Sequence, residues 1–215
     1  MVTLDYVRQH CLMWSKLGIV FLFSCILLFF MNSCSSNGMN ERIRGQLEVF
    51  QGQKISFMLD SMSCFYGLEE MSKTLETSDS YKIVLFTDSD ECSSCALTSF
   101  YDWEPLIERE SKIHKSKIDF IFIFSPKASD LSKLKKKILH ANIHHPIYID
   151  SNGVFVKSND IPHNHLFHTF LVDPNNQVVV VGNPLISDKI RDLMDKVIDG
   201  EIEDNHSTNS TMNNN

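Results

Sequence analysis

Two apolar runs decide what this chain can build. Ile118-Asp-Phe-Ile-Phe-Ile-Phe124 is apolar at every position but one, whereas a strand with one wet face alternates with period two. A near-continuous run of this kind is buried on both faces, as in a parallel sheet covered on each side. Tyr81-Lys-Ile-Val-Leu-Phe-Thr87 has the same β-branched and aromatic make-up and reads as a second buried strand. Pro126 closes the first run.

The stretches around them read as helices and shorter strands. From Cys95 to Ile113 the apolar residues Leu97, Phe100, Trp103, Leu106 and Ile107 recur at helical spacing, with Pro105 expected to kink the helix. Ala128–Ala141 reads as a helix whose Lys133, Lys135, Lys136 and Lys137 form a solvated basic face. Pro146–Asp150, Phe167–Val172 and Gln177–Val181 read as strands, the last two joined by the turn residues Asp173-Pro-Asn-Asn176. Ile186–Ile198 is an amphipathic helix, Lys54–Phe57 an extended piece, and Phe57–Leu75 is expected to be helical. The order β-α-β-α-(β)-β-β-α makes the chain α/β, with a central mixed β-sheet flanked by helices.

The ends speak to location. Leu17–Met31 is an uncharged apolar run behind Lys16, short for a bilayer span of roughly 20 residues and of the length of a signal-peptide core. It leads into Met31-Asn32-Ser33-Cys34, which resembles a bacterial lipoprotein signal in which Cys34 is lipidated. An uncleaved anchor is the alternative; both put the rest of the chain outside the cytoplasm. Met13 competes with Met1 as the start. The division expected is a signal over 1–33, a polar tether over 34–50, a domain over 51–200 and an acidic, Asn-rich disordered tail over 201–215. The net charge is −7, and the leader holds Asp5, Arg8 and Lys16, so without its +1 the chain stands at −8. That acidity argues against a nucleic-acid partner.

Of six cysteines, Cys11 and Cys25 lie in the leader and Cys34 is the lipid site, which leaves Cys64, Cys92 and Cys95. So few do not staple a secreted scaffold, and the core must hold by packing. Cys64 lies among apolar residues and reads as a small buried hydrophobe, with a resolving role as the alternative. Cys92-Ser-Ser-Cys95 follows the strand Tyr81–Thr87 directly. A pair spaced in this way can close a disulfide across a first helical turn, where free N–H groups favour a Cys92 thiolate. Asp88, Asp90 and Glu91 oppose that thiolate. A disfavoured thiolate means a more stable disulfide, so the couple is expected to be reducing.

Phe170-Leu-Val-Asp-Pro-Asn-Asn-Gln-Val-Val-Val-Val-Gly-Asn-Pro184 resembles the strand-turn-strand of TlpA-like and redoxin-type thiol-disulfide oxidoreductases. With the order of elements, the chain resembles exported thioredoxin-like lipoproteins of Bacteroidota over roughly residues 80–198. The resemblance implies a thioredoxin-like fold, catalytic Cys92 and Cys95 as a redox-active disulfide, and exported protein thiols and disulfides as partners, at a membrane held through the N-terminal lipid. Phe167 falls where that family has its cis-proline, so Phe167 and His168 are the implied substrate contacts. Ser93-Ser94 and Glu91 replace the Gly-Pro and Trp of thioredoxin. No cofactor is implied. As an alternative, His165-Leu-Phe-His-Thr-Phe-Leu-Val-Asp-Pro174 is similar to a motif of Sco-type copper chaperones, in which case Cys92, Cys95 and His165 would bind copper. Sco proteins, however, carry CxxxC. Zinc on the two cysteines and loop histidines, and a non-catalytic structural disulfide, are the other readings.

Overall fold

The two apolar runs lie side by side. In a computed structural model, which describes residues 35–71 and 79–201, Tyr81 to Thr87 pair in parallel with Ile118 to Phe124 along their full length. The leader, Cys34, residues 72–78 and most of the tail expected over 201–215 lie outside the described residues. No helix among the described residues is long and apolar enough to cross a membrane. The chain divides into two units, 1–46 and 47–215. Of the first, the structure describes the opening turns of helix α1 (Ser35–Phe50), which runs over the stretch read as a tether.

In the second unit the strands are β1 (Ser63–Gly67), β2 (Glu69–Met71), β3 (Tyr81–Thr87), β4 (Ile118–Phe124), β5 (Ile143–Ile149), β6 (Thr169–Val172) and β7 (Val178–Val181). The helices after α1 are α2 (Ser93–Thr98), α3 (Glu104–Ile113), α4 (Leu131–Ala141), α5 (Val154–Ser158) and α6 (Asp188–Ile198). One seven-stranded sheet runs β2-β1-β5-β4-β3-β6-β7. β3, β4 and β5 are parallel in its middle; β1 and β6 flank them antiparallel. A parallel βαβ unit that feeds an antiparallel hairpin and a closing helix, with a cysteine pair after the central strand, is a thioredoxin-like fold.

The sheet is buried on both faces, as the composition of β4 requires. On one side Phe122 meets Phe100 at 4.8 Å and Trp103 at 5.8 Å between ring centroids. Leu106, Ile107, Leu134, Ile138, Met194, Val197 and Ile198 complete that layer. Elsewhere in the unit an aromatic group forms, with Phe50 against Phe167 and Phe170, and Phe155 against Phe57 and Phe86. The outer edge of β7 is covered by the chain after α1: Gly52 N donates to Val178 O, and Val178 N to Gln53 O. Covering an edge in this way removes a site of uncontrolled strand pairing. Gly182 ends β7 at φ 137, where a Cβ would come within 3.0 Å of Ile190 in α6.

Three expectations change. The described part of the helix expected over Phe57–Leu75, residues 57–71, is not α-helical: a 3-10 turn at Leu59–Ser61 precedes β1 and β2. Phe57, Leu59, Met62 and Phe65 are buried at spacings that imitate a helix, but β1 hydrogen-bonds to β5 and turns at Gly67 with φ 60. The helix read over Cys95–Ile113 is not kinked but divided, α2 and α3 being separated by a 3-10 turn at Ser99–Asp102. Pro105 sits in the first turn of α3, where a missing N–H costs nothing. The basic face of α4 is not wholly solvated, since Lys135 pairs with Glu70 at 3.3 Å and lies 5.4 Å over the Phe65 ring. The Phe122→Ala variant, which removes the ring shared by β4, Phe100 and Trp103, should lose about 3–5 kcal/mol in denaturant unfolding; a loss below about 1 kcal/mol would contradict this packing.

Candidate functional site

The C-terminal ends of the parallel strands form one platform. Ser125 N donates to Thr87 O and Asp150 N to Phe124 O, so β3, β4 and β5 stay in step past their last residues. Buried Asp150 then accepts from Ser125 Oγ and from the N–H groups of Val154 and Phe155, which starts α5. The loop after β3 leaves from this platform toward the cysteines.

That loop is closed on itself. Glu91 N donates to Asp88 O, Asp88 N donates to Glu91 Oε2 at 3.2 Å, and Ser89 N donates to Asp88 Oδ1. It delivers Cys92 as the N-cap of α2, disulfide-bonded to Cys95 with their Cα atoms 5.2 Å apart. Both cysteines are exposed. Cys92 Sγ accepts the Cys95 N–H at 3.2 Å. After reduction the same N–H can stabilise a thiolate there, which makes Cys92 the better nucleophile of the two. α2 is only six residues long, so this support comes from the first turn and little from a helix dipole.

The three carboxylates that crowd the loop each meet a cationic or titratable partner. Lys127 Nζ lies 3.3 Å from Asp90, both exposed, and His163 Nδ1 lies 3.8 Å from Asp88. The most enclosed of these pairs joins Glu91 to His168, whose side chain is 5% exposed, at 3.1 Å. The other ring nitrogen of His168, Nε2, lies 3.1 Å from Pro162 O. A carbonyl oxygen only accepts, so Nε2 carries a proton. His168 Nδ1 faces the Glu91 carboxyl group, so the ring bridges Pro162 and the residue that precedes Cys92. The pair connects the loop after β3 to the turn before β6, and Phe86 N donates to His168 O alongside it.

The structure separates the residues singled out from the sequence. Cys92, Cys95 and His168 gather at the end of β3. Phe167 is buried with its ring on Phe50, and none of the described peptide bonds is cis. With Phe167 and His168 both buried, the exposed residues of this turn are His165 and Leu166. His165, the imidazole of the copper reading, opens the 3-10 turn His165–Phe167. Cys64 is buried in β1, far along the sheet order from β3, and burial pushes its thiol pKa up while a Tyr148 hydrogen bond opposes the shift. The Glu91–His168 pair has no local signature in the sequence, because 77 residues separate its partners.

No protein-family model matches the chain, and no curated protein matches it. Among solved structures, a thioredoxin-like protein from Porphyromonas gingivalis is 16% identical, with 69% of this chain and 94% of that one covered and a TM-score of 0.42. A thioredoxin-like protein in its oxidised form is also 16% identical, covering 70% and 97%, with a TM-score of 0.44. Peroxiredoxin Q of Xanthomonas campestris is 13% identical, covering 70% and 98%, with a TM-score of 0.46.

Removal of the His168 ring takes away the partner that holds Glu91 beside Cys92. In the reduced His168→Ala protein, alkylation of Cys92 at pH 7 should slow about three- to tenfold, with its pH profile moved to higher pH. An unchanged profile would show that the pair does not act on the thiolate.

Proposed function

We propose that the chain is a thiol-disulfide oxidoreductase that reduces disulfides of exported proteins, held at a membrane through a lipid on Cys34. One observation supports this most: an exposed Cys92–Cys95 disulfide at the end of the central parallel strand, whose leading sulfur already accepts a helix N–H. The resemblance to exported thioredoxin-like lipoproteins supplies the compartment and the class of partner.

In the reduced protein, the Cys92 thiolate attacks one sulfur of a partner disulfide. The partner S–S bond breaks, its second sulfur leaves as a thiolate and takes a proton, and a Cys92–partner disulfide forms. Cys95, as thiolate, then attacks Cys92 Sγ and expels the partner's remaining sulfur. Two electrons have passed to the partner, and Cys92–Cys95 is oxidised until an external dithiol reduces it. His168 holds the Glu91 loop in place through both steps. Exposed His165 and Leu166 offer a partner chain a polar and an apolar side chain, the place to which the resemblance assigns Phe167 and His168.

The acidic residues favour the reducing direction, although their counter-cations soften the effect. Asp90 keeps its charge at an exposed position, where one lysine screens it only in part, and α2 gives the thiolate one short turn of support.

Insulin, whose interchain disulfides are a convenient protein substrate, tests the mechanism. With dithiothreitol as donor, the purified protein should accelerate insulin reduction, and Cys92→Ala should fall to the uncatalysed rate. Prereduced Cys95→Ser should accumulate an insulin adduct at Cys92, released by excess dithiol. Activity that survives in Cys92→Ala, or an adduct that forms equally in a Cys92→Ser/Cys95→Ser protein, would contradict it. Lipidation predicts that radiolabelled palmitate fed to the host labels the parent and not Cys34→Ala; equal labelling, or none of the parent, would contradict it.

A further inference from the structure

A second cluster of reactive side chains lies where α3 meets α6, and the thiol chemistry does not use it. His114, at the end of α3, is fully buried through its side chain. Its Nε2 lies 3.2 Å from Glu110 Oε2 and 3.2 Å from Asp195 Oδ1, and its Nδ1 lies 3.2 Å from Asp199 Oδ1. Arg109 bonds the remaining oxygens, with NH1 on Glu110 Oε1 and NH2 2.8 Å from Asp195 Oδ2. Arg109 NH1 also lies 3.4 Å from Asp195 Oδ1, so the guanidinium borders the point at which His114 Nε2, Glu110 Oε2 and Asp195 Oδ1 meet.

Those three atoms, His114 Nε2, Glu110 Oε2 and Asp195 Oδ1, fit an ion better than they fit each other. The carboxylate and imidazole donors of these three residues all lie within 4.8 Å of one another. Neighbouring ligands of a tetrahedral ion with bonds of about 2.0 Å are about 3.3 Å apart, close to the two separations of 3.2 Å. Glu110 is 2% exposed and its Oε2 is buried with no hydrogen-bond partner, because the near nitrogen of His114 bonds Asp195 instead. A buried, unpartnered carboxylate oxygen is costly. Three carboxylates, those of Glu110, Asp195 and Asp199, meet one imidazole and one guanidinium there.

We propose that Glu110, His114 and Asp195 form a binding site for a divalent transition-metal ion, with zinc as its occupant. An imidazole and two carboxylates suit zinc and not the all-oxygen preference of magnesium or calcium. Asp195 is 20% exposed, so the cluster borders solvent. Asp199 orients the ring through Nδ1, and Arg109 holds the two carboxylates, as outer partners do at metal centres. The ion clips α6 to α3, and because it binds only the folded chain it stabilises the fold.

The test uses the full-length protein in detergent, stripped of metal, with Cys92–Cys95 oxidised so that those thiols cannot ligate. Zinc titrated by calorimetry should bind one per chain and raise the melting temperature. Cobalt should give the intense visible bands of a four-coordinate ion without thiolate charge transfer. Glu110→Gln should lose zinc binding and Asp199→Asn should weaken it about 10- to 100-fold, while His163→Ala/His165→Ala should bind as the parent does.

Glu110→Gln also controls for folding. The amide has the size of the carboxyl and keeps an oxygen for Arg109, so the metal-free variant should melt close to the metal-free parent. No zinc binding by the parent, binding retained in Glu110→Gln, or binding lost in the His163→Ala/His165→Ala protein would each overturn the site.

Discussion

The pairing of β3 with β4 is the constraint on which the rest depends. Seven residues of each run stay in parallel register from Tyr81–Ile118 to Thr87–Phe124. A parallel pair needs a long crossover, and α2, α3 and the 3-10 turn between them supply it while this segment buries Leu97, Phe100, Trp103, Leu106 and Ile107. The same pairing brings Thr87, Ser125 and Asp150 level, so the loop that carries Cys92 leaves from a fixed platform and not from a free end. A one-residue slip would turn Phe122 away from Phe100 and Trp103 and move the cysteines with it.

The site on that platform is a balance of opposed charges. Asp88, Asp90 and Glu91 alone would hold Cys92 as a thiol or a disulfide. His163, Lys127 and His168 approach them one by one, and of these contacts the His168 pair is the most enclosed. The thiolate gains one N–H from the first turn of a short helix. The result is a pair of exposed sulfurs with moderate, not extreme, support for ionisation, which suits a couple that gives electrons away.

The legible parts of the sequence were those whose signal is local. β3 and β4 begin and end where their apolar runs do, and the turn Asp173-Pro-Asn-Asn176 joins β6 to β7 with Asn176 at φ 64. The cysteine pair and its place after β3 were equally plain. β1 and β2 were not, since burial at Phe57, Leu59, Met62 and Phe65 copies helical spacing and only pairing with β5 decides otherwise. α5 was missed because its start is set by Asp150, which caps it across a tight turn with Gly153 at φ 63. The partner of Glu91 and the three-residue cluster at Glu110 depend on side chains tens of residues apart. No window along the chain contains them together.

The central claim is that Cys92–Cys95 is a reversible couple on the reducing side, neither a permanent staple nor an oxidant. Its reduction potential, measured by equilibration with dithiothreitol or glutathione buffers and read by alkylation and mass, tests this directly. The account predicts a value between about −220 and −290 mV. A value well below about −300 mV would make the bond a structural disulfide, and one near about −120 mV would make the protein an oxidant; either contradicts the account.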